Sequence, residues 1–191
     1  MTARLQESRE VIAVTGLKHS GKSAIAQGLS RALGLPTLDL DEETLHLMRN
    51  TLDAPASGNT LREFFRAYGA EAFRKHEAIA LEIVLSEHPA AVIACGGGVI
   101  DNRRATNLLA EAAFIVYLSV EFDVLFDRIS RGGIPPFLDP ADPRGSFVEL
   151  AARRDAAYRE LAHLVVPISN RSVGEAVEQV ATEIKENRHA R

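Results

Sequence analysis

The chain has 191 residues, a length that fits one domain. Hydrophobic residues make up 46% and charged residues 25%, enough apolar material for a core, and the net charge of -4 supplies no global basic field for nucleic acid or an anionic membrane. Cys95 is the one cysteine, which excludes an internal disulfide; the polar N-terminus lacks a signal-peptide stretch, and no run approaches the roughly 20 apolar residues of a membrane span, so a soluble cytoplasmic protein is expected.

In chain order, the first element is an apolar run at 11–15 (VIAVT), which reads as a strand and leads into GLKHSGKS at 16–23. An amphipathic helix is expected over 23–33, with Ile25, Leu29 and Leu33 on one face and Gly34 and Pro36 as its stop. A second strand, 37–40, runs into Asp39-Leu40-Asp41. Alternate strand residues share a side, which projects both carboxylates beside the glycine-rich loop; capping of a following helix by Asp41 is equally compatible. Residues 50–59 (NTLDAPASGN) read as a loop. Residues 61–85 are rich in helix formers and carry Phe64, Phe65, Phe73, Ile79 and Leu81 at three- and four-residue spacings, with a break at Gly69.

A third strand, 91–94, enters Gly96-Gly97-Gly98, where backbone N–H groups can approach a ligand. A helix at 108–113, a strand at 114–118 and a helix at 122–129 follow. Residues 132–143 (GGIPPFLDPADP) place four prolines behind two glycines and read as a flap. A helix at 147–163, a strand at 164–168 and a helix at 174–186 complete the chain. Several strands are apolar at successive positions, as strands buried on both faces are, and helices alternate with them. The expected fold is α/β: a three-layer sandwich around a parallel five-stranded sheet.

The loop at 16–23 fits G-x-x-x-x-G-K-[ST] and sits between a strand and a helix, as its chemistry requires. Glycines let backbone N–H groups turn toward phosphate oxygens, and the helix N-terminus adds partial positive charge. Lys22 should reach the β- and γ-phosphates, and the Ser23 hydroxyl should ligate magnesium. Lys18 and His19 occupy variable positions and read as solvated. No N-K-x-D or L-S-G-G-Q string is present, and the chain is too short for a motor ATPase, which leaves a small kinase using ATP and Mg2+. By themselves, Arg74 and Glu77 at i, i+3 read as a surface ion pair, and Arg153-Arg154 as a solvated helix face.

Together, GLKHSGKS, the Asp39/Asp41 pair, FFRAYGAEAFRKHE, CGGG and ARRDAAY resemble the shikimate kinase family over nearly the whole chain. That resemblance implies a monomeric P-loop kinase with a substrate-binding subdomain at about 42–85 and a lid at about 130–145. The implied reaction moves the ATP γ-phosphoryl group to the 3-hydroxyl of shikimate, a small carboxylate-bearing polyol, in chorismate biosynthesis. Gly16, Ser20, Gly21, Lys22, Ser23 and Ala24 would bind the nucleotide, with Arg128 over the adenine and Arg171 also at the nucleotide. Ser23 and Asp39 would support magnesium, while Asp41 would bind the acceptor hydroxyls and act as base. Phe65 and Phe73 would line the ring pocket, and Arg74, Arg154, Gly97 and Gly98 would bind the carboxylate.

Three departures accompany the match. The family's lid string R-P-L-L reads Pro135-Pro136-Phe137-Leu138 here, so its arginine is missing; Arg131 is the expected catalytic replacement, ahead of Arg144. The loop before the aromatic helix is longer than usual, and Ala156 stands where a proline is usual before the tyrosine. A gluconate-type acceptor, or a non-catalytic ligand sensor on the same fold, therefore stand as alternatives.

Overall fold

A computed structural model describes residues 10–53, 59–131, 134, 138–169 and 171–189. Its five strands are β1 (Val11–Gly16), β2 (Thr37–Asp39), β3 (Val92–Ala94), β4 (Ala113–Ser119) and β5 (Leu164–Pro167), ordered β2-β3-β1-β4-β5 with every pairing parallel. The helices are α1 (Lys22–Leu33), α2 (Leu40–Thr51), α3 (Leu61–Glu87), α4 (Arg103–Ala112), α5 (Phe122–Arg131), α6 (Pro143–Leu161) and α7 (Val173–His189). All six residues of β1 are buried, as are the first six of β4, which explains their unbroken apolar sequence: helices cover both faces. Burying each Ile or Val side chain of these strands contributes about 1.5–3 kcal/mol against leaving it in water.

Local signals end the elements where physical chemistry predicts. Gly34 caps α1 in the left-handed region at φ 68°, and its N–H donates to Ser30 O. Thr60 and Glu63 form a reciprocal capping box at the start of α3. Inside α3, Gly69 departs from helical geometry (φ 80°, ψ 177°), so the expected break is a real kink.

The structure corrects several expectations. The chain leaves β2 at Asp39 and turns at once into α2, so of the two readings of this stretch the following helix holds and the strand running on to Asp41 does not. Asp41 therefore lies in a helix's first turn and not on a strand, and Asp39, not Asp41, is the N-cap, accepting from the Asp41 N–H at 3.0 Å. α2 also claims Asn50 and Thr51 from the expected loop; residues 54–58 of that loop lie outside the described residues. α4 begins at Arg103, well before 108, because Asn102 caps it. α6 begins at Pro143, whose fixed φ and missing N–H suit a helix's first turn, so the last proline of the flap string belongs to a helix. Gly132, Gly133 and Pro135–137 of the flap lie outside the described residues, while Leu138 is buried against the core.

Candidate active site

The site forms at the C-terminal ends of β1, β2 and β3, where a parallel sheet opens a crevice between the loops that follow its strands. The loop after β1 is held in a conformation few residues adopt. Gly16 and Gly21 have φ of 154° and 91°, and His19, at φ 64°, is the one positive-φ residue other than glycine among those described. A Cβ at Gly16 would stand 2.6 Å from Ser20 Oγ, so only glycine fits there. The Ser20 hydroxyl is buried without a hydrogen-bond partner among the described residues, and α1 begins on Gly21 with no side-chain cap. An uncapped helix N-terminus, an orphaned hydroxyl and a lysine on one loop form a donor set that fits a polyphosphate.

Lys22 Nζ donates to Leu17 O at 2.9 Å, folding the side chain back over the loop. Burial pushes its pKa down to about 8, against the opposing pull of the Asp41 carboxylate. Ser23 Oγ donates to Asp39 Oδ2 at 3.1 Å, joining the loop to the end of β2. This hydroxyl–carboxylate pair offers the hard oxygen donors that magnesium takes. Asp41 stands beside it with its pKa raised, first by desolvation and then by Asp39, with Lys22 opposing.

Asp41 reaches this position because the turn that follows β3 carries glycine at 96. A Cβ at Gly96 would lie 2.5 Å from Asp41 Oδ1 and 3.5 Å from Glu77 Oε1, so the two carboxyl groups approach each other across a bare α-carbon. A Cβ at Gly97 would lie 2.9 Å from Lys18 N, which makes the second glycine the contact surface for the phosphate loop. Glu77 is 2% exposed and not part of a surface ion pair. It accepts from Asn102 Nδ2 at 2.7 Å, and burial lifts its pKa to about 7. The same Asn102 nitrogen donates to Arg74 O at 2.8 Å.

The other expected residues separate into two groups. Arg154 is far from a solvated face: its Nε and Nη2 donate to Asp101 Oδ2 at 3.0 and 2.7 Å, and Nη1 donates to Gly97 O at 3.3 Å. Its guanidinium thus lies over Gly98, whose added Cβ would meet Nη2 at 3.5 Å. Arg128 Nη1 donates to His19 O at 3.1 Å, tying α5 to the phosphate loop. Phe65 and Phe73 meet edge to face at 5.6 Å across the Gly69 kink, and Phe65 is 44% exposed. By contrast, Arg74 is exposed and lines an outer groove with Lys75 and Arg104, and Arg131, Arg171 and Ala24 are exposed. Asp101 and Asn102 escaped the sequence reading; the only signal was two polar, side-chain-bonding residues just past the glycine triplet.

Comparisons with known proteins identify the family and agree with the fold. A family model described as shikimate kinase matches residues 18–187. The chain is 36% identical over 155 residues to the shikimate kinase of Bordetella avium, covering 81% of this chain and 69% of that protein. It is 33% identical over 176 residues to the shikimate kinase of Paracidovorax citrulli, covering 91% of each. Its backbone superimposes with a TM-score of 0.78, at 25% identity, on a shikimate kinase from Acinetobacter baumannii in complex with shikimate, over 95% of this chain and 96% of that one.

Proposed function

The chain belongs to the shikimate kinase family, and on that premise we propose that this ATP-dependent kinase phosphorylates the 3-hydroxyl of shikimate. The observation that carries the proposal is the meeting of two unlike half-sites at the glycine triplet. On one side are Lys22, Ser23, Asp39 and Asp41, suited to a polyphosphate and a hydroxyl. On the other is Arg154, suited to a carboxylate.

The 16–24 loop, with Lys22 and the Ser20 hydroxyl, binds the phosphates of ATP, and Arg128, through its bond to His19 O, holds the loop and borders the nucleotide. Ser23 and Asp39 hold Mg2+, which screens phosphate charge when bound. Asp41 accepts the acceptor's proton at Oδ1 or Oδ2 as its oxygen attacks. Its raised pKa brings the carboxylate nearer the range where proton transfer is efficient, and Lys22 keeps it ionised. The planar fork of Arg154 binds the acceptor carboxylate, and Arg74 joins it by swinging in from its exposed position. Phe65 and Phe73 supply the apolar wall for the ring. Phosphoryl transfer asks little covalent chemistry of the protein, so positioning and charge account for most of the acceleration.

A coupled assay of ADP release with ATP, Mg2+ and shikimate tests the proposal, with Lys22→Ala as the inactive control. Turnover of shikimate that vanishes in the control supports it. Turnover of gluconate but not shikimate, or of neither, overturns it.

A further inference from the structure

The two arginines of α6 converge on a single acid that the reaction does not use. Arg153 Nη1 reaches Asp101 Oδ1 at 3.0 Å, and Arg154 grips Asp101 Oδ2 through Nε and Nη2. The Asp101 and Arg154 side chains are only 18% and 20% exposed, so this contact is far less screened than a surface ion pair. We propose that Asp101 is a positioning and specificity-determining residue that aims the Arg154 fork at a singly charged acceptor carboxylate; the inference rests on the function proposed above.

Three features support the assignment. First, Asp101 is itself rigidly placed. It closes the 3-10 turn Val99–Asp101, donating its N–H to Gly98 O at 2.9 Å, so its carboxylate is fixed relative to the glycine triplet. Second, the bond pattern leaves a usable face. Nε and Nη2 form one edge of the guanidinium, and Asp101 occupies it; Nη1 gives one hydrogen to Gly97 O, so Nη1 and Nη2 each keep a second hydrogen, and Nη2 is the nitrogen nearest Gly98. A carboxylate arriving at the triplet meets an arginine already turned toward it, and a long side chain ordered in advance loses less entropy on binding. Third, charge balances. Within this triad, Arg153, Arg154 and Asp101 leave one net positive charge, enough to face a monocarboxylate before Arg74 joins.

The neighbouring residue extends the logic. Asn102 bonds to Arg74 O and Glu77 on α3 and caps α4, so the Asp101-Asn102 pair ties both arginine-bearing helices to the glycine turn. A sequence search for substrate-contacting residues misses such a pair, because neither member touches the acceptor.

The test is steady-state kinetics of Asp101→Asn with shikimate and ATP varied separately. The isostere keeps shape and an acceptor oxygen but removes the charge that orients the fork. The acceptor KM should rise about tenfold, while kcat and the KM for ATP stay within about twofold. On an Arg154→Lys background, Asp101→Asn should add less than threefold, because the fork it aims is gone. An unchanged or lowered acceptor KM overturns the proposal, the latter marking Asp101 as a competitor for the fork. Equal losses in both KM values with a lower melting temperature also overturn it, in favour of a structural role. Should Asp101→Asn fold poorly, Asp101→Ser is read by the same criteria. Wild-type turnover of shikimate reports separately on the function itself.

Discussion

Asp39 and Asp41 stand two residues apart yet have different surroundings, and so different predicted phenotypes. Asp39 is bound to Ser23 Oγ and to the Asp41 N–H, the position of a residue that supports a cation and caps a helix. Asp41 faces Lys22 and packs on Gly96 with a raised pKa. Asp41→Asn should lower kcat about 100-fold or more with ATP binding intact, and Asp39→Asn should instead raise the magnesium requirement, both read from kinetics across a magnesium titration. Reversed phenotypes would exchange the roles. Glu77 carries a pH prediction. In the folded chain it keeps its proton to about pH 7, whereas the ordinary glutamate value is 4.5. Between those values folding favours the protonated form, so its contribution to stability is complete below about 4.5 and lost as pH rises through 7. Nearby Asp41 and Asp101 oppose ionisation and Arg74 favours it. Glu77→Gln cannot ionise and should melt close to wild type at pH 5 but about 4 °C or more higher at pH 8. A constant difference across that range would place the effect elsewhere.

At the scale of elements, the kink in α3 and the end of α5 are the informative places. Gly69 sits at φ 80° and ψ 177° with nothing within 4 Å of where a Cβ would stand, so an alanine there meets no clash and its cost is backbone strain alone. Gly69→Ala should lose about 1–3 kcal/mol in denaturant titration and raise the acceptor KM, since the kink sets Phe65 against Phe73. A loss of stability with unchanged KM would separate the kink from the acceptor pocket. At the end of α5, Arg131 is exposed where the flap string begins, whereas Arg144 forms an exposed ion pair with Asp123 at 2.7 Å. An arginine that reaches a transferring phosphoryl group is worth about 10³–10⁵ in rate. Arg131→Ala should therefore lower kcat at least 100-fold and Arg144→Ala less than threefold; the opposite ranking would move the role to Arg144.

Over the whole molecule, a net charge of -4 coexists with a local cluster of bases, because Lys18, Lys22, Arg128 and Arg154 gather, among the acids Asp39, Asp41 and Asp101, where the loops after the parallel strands meet. The crevice joins two half-sites, so ligand stabilisation should be separable. Each ligand at about 100 times its dissociation constant adds roughly 2.7 kcal/mol to folding. In thermal-shift measurements, wild type should gain with ATP–Mg2+ and with shikimate alike. Arg154→Ala and Arg74→Ala should keep the first gain and lose most of the second. Loss of both gains would make these arginines structural. Among the described residues no helix is long and apolar enough to cross a membrane.

Where the chemistry resides in contiguous residues, the sequence alone was sufficient. The phosphate loop, the five strands and the kink at Gly69 all follow from local rules: apolar runs, a glycine spacing, a residue tolerant of positive φ. Only the tertiary structure decided what depends on distant partners. Asp39-Leu40-Asp41 reads locally either as a strand end or as a helix start, and it is the helix that sets Asp41 against Gly96, 55 residues on. Glu77 and Arg154 look like surface charges because one-dimensional spacing cannot reveal burial. The partners that change their meaning, Asn102 and Asp101, approach only when α3, the glycine turn and α6 pack together. Backbone preference and hydrophobic period act within a few residues, whereas desolvation and charge pairing act through space, and the second pair sets the chemistry of this site.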